Sequence, residues 1–242
     1  MRIGAFDVRY VSHVCFLFTS PGGNVVLTDP LFAEGFEWKG KVEKYLSPPE
    51  IAVGDITRCD AVFVSHIHGD HYDPDTIKTL VNNTAATVWA PPDVTEDLAG
   101  RGVTPERLVP LAEGASLSAG DVEATAYAGY DNSFDEEGRA NKFSLLLQAD
   151  GTRIFYSGDC HDPPPAMSGQ EVDATFAWPH PDDGKLAGFC RAFKMPQYVL
   201  MHGDKFEPGD FFCNFDYAAE KRRVEAVLPN VEVVVPERVR SI

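Results

Sequence analysis

Long apolar runs are absent from this chain of 242 residues. The longest nearly apolar stretch, residues 14–18, is far too short to cross a bilayer. The opening MRIGAFDVRY carries polar residues where a signal peptide needs an apolar core, so no transmembrane segment and a cytoplasmic location are expected. Basic residues are scarce: 21 Lys and Arg stand against 37 Asp and Glu, a formal net charge of −16. That balance argues against a broad basic face for phosphate backbones, and no nucleic-acid partner is expected. A small anionic substrate stays open, because a bound metal ion inverts the local field. Cysteine pairs are lacking too. Cys15, Cys59, Cys160, Cys190 and Cys213 are scattered with no CxxC, which excludes a zinc ribbon or a dithiol redox motif and leaves reduced thiols. No linker, short repeat or low-complexity tract interrupts the chain, so one domain over residues 1–242 is expected.

What is present is a succession of short strands and amphipathic helices. RIGAFDVRYV, HVCFLF and VVLTD form a meander, with Gly22-Gly23 as a hairpin signal. Residues 31–54 lack clear periodicity and read as a long loop. AVFVS (61–65) is a short buried strand. In the segment after it, Asp73 suits an N-cap, Pro74 the first helical turn, and Ile77, Leu80 and Val81 form a helical stripe. TVWA, VEATAYA, the hairpin FSLLLQ-ADGT-RIFYS, DATFAW, QYVLM and VEVVV read as further strands. PDVTEDLAG and DYAAEKRRVEAVL (216–228) read as helices. Strands in both halves with interspersed helices predict an α/β fold with two sheets.

Side chains able to bind metal gather where the apolar strands end. His66, His68, Asp70 and His71 follow AVFVS; Asp159 follows RIFYSG; His202 follows QYVLM. Strand ends are where layered α/β folds aim functional groups into a crevice. Residues two apart on an extended chain point the same way, so His66 and His68 share a side, while Asp70 and His71 reach a second position as the chain turns. Three imidazoles and a carboxylate within six residues suit zinc, manganese or iron.

SHIHGDH (65–71) resembles the signature of the metallo-β-lactamase superfamily, whose fold is a four-layer αββα sandwich. RYVSHVCFLF followed by VVLTDPLF is similar to the opening of the branch that contains ascorbate-6-phosphate lactonase-like and N-acyl-phosphatidylethanolamine phospholipase D-like hydrolases. RIFYSGDC resembles the strand that delivers a metal-bridging aspartate, and VLMHGD the strand with the last histidine. The resemblance implies one or two divalent metal ions per chain, with zinc or manganese first and iron as an alternative. It assigns His66 and His68 to the first ion, Asp70, His71 and His202 to the second, and Asp159 to both. It further implies a metal-activated hydroxide attacking a small ester, lactone or phosphodiester, with Asp70 orienting the water or shuttling its proton. A small-molecule substrate, phosphorylated in some readings, is the expected partner, and self-association is left open. A metal-dependent nuclease or a non-catalytic metal-binding relative are the alternatives.

The chain departs from the family at one point. The stretch AYAGYDNSFDEEG, where a further histidine ligand is usual, has none. Asp131, Asp135 or His161 are the candidate replacements. His13 reads as a hydrogen-bonded histidine in a strand, Asp29 as a turn cap, His180 as either a pocket or a loop residue, and Lys205 as a surface lysine. Cys160 should point away from the centre, opposite to Asp159.

Overall fold

A computed structural model describes residues 1–129, 138–207 and 215–238. In chain order the strands of the first half are β1 (Arg2–Ile3), β2 (Phe6–Ser12), β3 (Cys15–Thr19), β4 (Val25–Thr28), β5 (Gly35–Trp38), β6 (Lys41–Tyr45), β7 (Ala61–Phe63), β8 (Thr87–Ala90) and β9 (Leu108–Pro110). Those of the second half are β10 (Ser116–Ala119), β11 (Val122–Ala128), β12 (Phe143–Ala149), β13 (Thr152–Tyr156), β14 (Ala174–Ala177), β15 (Gln197–Leu200), β16 (Phe206–Glu207) and β17 (Glu232–Val234). The helices are α1 (Pro74–Asn83), α2 (Pro92–Gly100), α3 (Asp183–Arg191) and α4 (Tyr217–Val227).

Two seven-stranded sheets share one plan. The first runs β1-β2-β3-β4-β7-β8-β9 and the second β10-β11-β12-β13-β14-β15-β17. Each begins as an antiparallel meander and turns parallel, at β4/β7 in the first sheet and at β13/β14 in the second. Strand alternation makes the layers. Ala61 and Phe63 of β7 face the second sheet with Phe16, Ile154, Tyr156 and Phe176, whereas Val62 and Val64 face Ile77, Leu80, Val94 and Leu98 beneath α1 and α2. Phe155, Tyr198 and Leu200 pack beneath α3 and α4 with Phe189 and Val224. The result is helix, sheet, sheet, helix, the four-layer αββα sandwich. Asp73 caps α1 as expected, its side chain accepting from the Asp75 and Thr76 amides. No helix among the described residues is long and apolar enough to cross a membrane.

One expectation from the sequence needs correction. Residues 31–54 are not simply a loop: β5 and β6 form a hairpin that joins β16 in a third, small sheet. Its turn places both Lys39 (φ 49°) and Gly40 (φ 76°) in the left-handed region, as a two-residue hairpin turn demands. The strands are short and mix charge with aromatics, which hides the period. The WPHPDDG segment also leads into a helix, α3, whose N-cap Asp182 accepts from the Lys185 amide.

Candidate metal centre

Both sheets send side chains to one mouth, at the points where antiparallel pairing turns parallel. Asp29 ends β4, the SHIHGDH segment follows β7, Asp159 follows β13, and His202 follows β15. His13 comes from the turn between β2 and β3. The mouths of the sheets nearly touch: a Cβ on Gly158 would lie 2.7 Å from the Ser65 Cβ, and Gly158 itself has φ +54°. His13 (φ 47°), Asp29 (φ 36°) and His202 (φ 72°) adopt the left-handed conformation that non-glycine residues seldom take. Three such residues buried at one place mark a backbone held in position by its surroundings.

Two groups of donor atoms converge there: His66 with His71 and Asp159, and His13 with Asp70 and His202. Asp159 Oδ1 lies 3.1 Å from both His71 Nε2 and His202 Nε2, and its Oδ2 is 3.5 Å from His66 Nε2. Asp70 Oδ2 is 3.2 Å from His202 Nε2, 3.5 Å from His71 Nε2 and 3.6 Å from His13 Nε2. Donors on arms of about 2.1 Å around a tetrahedral ion sit about 3.4 Å apart, which is the spacing here.

The hydrogen bonds around the groups choose which nitrogen each imidazole presents. Ser65 Oγ donates to Asp29 Oδ2 (2.8 Å), so its lone pairs face His66 Nδ1 at 3.0 Å and take that proton. His66 Nε2 is then an acceptor, buried without a hydrogen bond, and it faces another acceptor on Asp159. Two buried acceptors set against each other are satisfied by a cation between them. His71 Nδ1 lies 2.9 Å from Asp29 Oδ2, which also accepts from Tyr156 Oη (2.6 Å), so Nε2 of His71 turns to the centre. A carboxylate behind a ligating histidine fixes its ring and raises its basicity. Asp70 Oδ1 is a further buried atom with no hydrogen bond.

Charge in the centre is tightly coupled. Burial alone would lower the His71 pKa, but the carboxylates of Asp159, Asp70 and Asp29 outweigh it and hold His71 up to about 10. Burial, and then the His202 ring, push His13 down to about 4. Burial and the His71 charge likewise lower His66. Asp70 and Asp159 stay well below the usual carboxylate range despite burial, chiefly through His71.

A second network ties His13 to His202. The His202 amide donates to the His13 carbonyl (3.0 Å), and the His13 amide donates to Asp204 Oδ2 (2.6 Å). Asp204 also accepts from Tyr10 Oη (3.0 Å) and pairs with Arg238.

Of the residues singled out in the sequence, His66, Asp70, His71, Asp159 and His202 come together. His68 stands at the exposed rim, its ring 4.4 Å from that of His66, outside both donor groups. His161 packs on Trp178 (4.5 Å) and His180 (4.8 Å), and Trp178 in turn stacks on His202 at 5.4 Å. Asp131 and Asp135 lie outside the described residues. Cys160 is buried and Lys205 exposed. Sequence reasoning underrated two residues. His13 is a member of a donor group, not an ordinary strand histidine, and Asp29 is the buried carboxylate behind His71, not a turn cap. A histidine in the turn between paired strands, placed as in the hydrolases the opening resembles, and an Asp-Pro at a strand end were their signals.

Comparison with known proteins places these features in a family. Residues 24–183 match the beta-lactamase superfamily domain. A UPF0173 metal-dependent hydrolase of Roseiflexus sp. is 27% identical over 163 residues, which cover 63% of this chain and 61% of that relative, about three fifths of its length. Among solved structures, Igni18, a metallo hydrolase of Ignicoccus hospitalis, superposes with a TM-score of 0.65 at 16% identity, covering 96% of this chain and 95% of that one. CmlA, a diiron β-hydroxylase of Streptomyces venezuelae, gives 0.66 at 16% identity over 96% of this chain and 53% of that one. At such identities these two likenesses speak for the fold alone. By its matched segment, carried on an αββα frame with the SHIHGDH mouth, the chain belongs to the beta-lactamase superfamily.

Proposed function

We propose that this protein is a metal-dependent hydrolase acting on a small ester, lactone or phosphodiester. The observation that carries the reading is the pair of donor groups at the mouth, where His66 Nε2 and Asp70 Oδ1 are buried without hydrogen bonds. In this reading His66, His71 and Asp159 hold one divalent cation and His13, Asp70 and His202 a second. Asp159, whose Oδ1 is 3.1 Å from both His71 and His202 Nε2, would be shared between the two groups. His68, its ring 4.4 Å from that of His66, stands at the rim beside the first group. Zinc and manganese suit the mixed imidazole and carboxylate set, as does iron.

Cations bound there supply a lowered water pKa and charge neutralisation at the attacked group. The protein does the rest. Asp29 holds His71 in the tautomer that presents Nε2, and the His13–His202 backbone bond sets the second group against the first. Asp70 faces three imidazoles through Oδ2, which leaves Oδ1 as the atom that orients the attacking water and takes its proton. The acidic chain and the likeness of its opening strands to lactonase-like and phospholipase D-like hydrolases favour a small phosphorylated substrate over nucleic acid.

Elemental mass spectrometry of untagged protein, followed by a screen of phosphodiesters and lactones with the metal found, tests the proposal. The expected result is close to two equivalents of metal in the wild type. Asp159→Asn should lose metal and at least a hundredfold in turnover while keeping its circular dichroism. Wild-type turnover by Asp159→Asn would place the chemistry elsewhere.

A further inference from the structure

The small sheet is a cover over the metal centre. On its inner face Tyr45 lies 6.4 Å from the His13 ring, Phe206 5.1 Å from it, and Trp38 6.0 Å from the His68 ring. Phe36 packs against Gly69, where a Cβ would meet the Phe36 Cβ at 3.0 Å. In β6, Val42 and Lys44 are exposed while Glu43 and Tyr45 are buried, so Glu43 points inward with Tyr45. Its cross-strand neighbour is Phe36.

Glu43 is 0% exposed, and neither carboxylate oxygen has a hydrogen-bond partner. No ion pair to it is found among the described residues. A buried carboxyl group without a partner is costly, and native structures keep few of them without a reason. A bound metal is not that partner, because Glu43 lies outside both donor groups. The face it shares is aromatic: Phe36 stands opposite it, Tyr45 follows two residues on, and Phe206 pairs with Tyr45, in a cluster with Leu31, Trp38 and Trp178. A carboxylate within a set of ring faces is the chemistry that recognises an organic ammonium ion, by charge and by cation–π attraction.

We propose that the underside of this hairpin is a cation-recognising subsite, in which Glu43 and the rings beside it receive an ammonium group of the substrate while the scissile bond lies at the metal centre. The inference rests on the hydrolase reading only for what it calls substrate; the binding itself does not need turnover.

The test is a titration of metal-loaded protein with tetramethylammonium chloride, read by tryptophan fluorescence through Trp38 and Trp178. Sodium chloride at equal ionic strength and the neutral isostere 2,2-dimethylpropane serve as controls. Saturable quenching is expected with the ammonium only, and at least tenfold weaker in Glu43→Gln. That variant should keep wild-type metal content. No saturable quenching in the wild type, or equal quenching in both proteins, overturns the subsite. Loss of metal from Glu43→Gln overturns it as well, by making the residue a ligand. Ammonium binding by a protein that takes up no metal would keep the subsite and sink the hydrolase reading. Two metal equivalents without ammonium binding would do the reverse.

Discussion

Asp29 and His71 show what a single buried pair does to metal uptake. With its Nδ1 proton on Asp29 and carboxylates around Nε2, His71 of the metal-free protein keeps its second proton to about pH 10. The raised value means that His71 adds stability to the metal-free fold fully below about pH 6.5, the ordinary histidine value, and that this contribution fades as pH rises through about 10. A cation must displace that proton. Apparent affinity should therefore rise about tenfold per pH unit between pH 7 and about 10. Calorimetric titration with a metal in buffers of different ionisation enthalpy should report release of one proton at pH 7.5, and a pH-independent affinity would contradict the arrangement. At this scale the sequence was generous where ligands cluster and silent where they do not. His66, Asp70 and His71 sit within six residues and announce one another. His13 and Asp29 gain their meaning only from His202 and His71, which reach them through the fold.

Elements were legible where burial imposes a clean period. AVFV, IFY and YVLM are apolar throughout because both their faces are covered, and the helix that begins at Pro74 announced itself by the stripe of Ile77 and Leu80. The hairpin of β5 and β6 stayed hidden because it covers a polar site: Phe36 and Trp38 alternate with Glu37, but Glu43 breaks the apolar face. Gly158 makes the opposite point, a small residue whose role is purely geometric. Alanine at that position meets Ser65 at 2.7 Å and must hold φ +54°, a conformation costing about 1–2 kcal/mol before any clash. Gly158→Ala should lower the melting temperature by at least about 4 °C in a thermal scan and weaken metal retention with it, since Asp159 is its neighbour. An unchanged melting curve would mean that the two mouths part more easily than their packing implies.

For the whole molecule, the donor groups join the two sheets. His13, His66, Asp70 and His71 come from the first sheet and Asp159 and His202 from the second, with His71 and His202 131 residues apart in the chain. Ligands that bind only the folded state stabilise it by mass action, about 4 kcal/mol at a thousandfold excess over Kd. Stripping metal with EDTA should lower the melting temperature by roughly 10 °C, and restoring zinc or manganese should recover it. Identical curves with and without chelator would leave no metal between the sheets. The αββα plan itself was readable, because strand-rich halves with helices on the outside leave few other ways to stack. The fusion of the halves at one mouth was not, since nothing local records which strand ends will meet.

Gly158 beside Ser65 and Asp159 beside His71 put the seam between the sheets within a few ångströms of the donor groups. Mechanically, the centre is then a rivet at one end of a sandwich whose other end is closed by side-chain packing and by hydrogen bonds, from Ser20, the Gly22 amide and Asn24 to Asp121 and from the Ala5 amide to Thr152. Pulled apart from the mouth side, as with the two sheets tethered in an optical trap, the loaded protein should yield at the packed end first. Without its ions it should open like a book from the mouth.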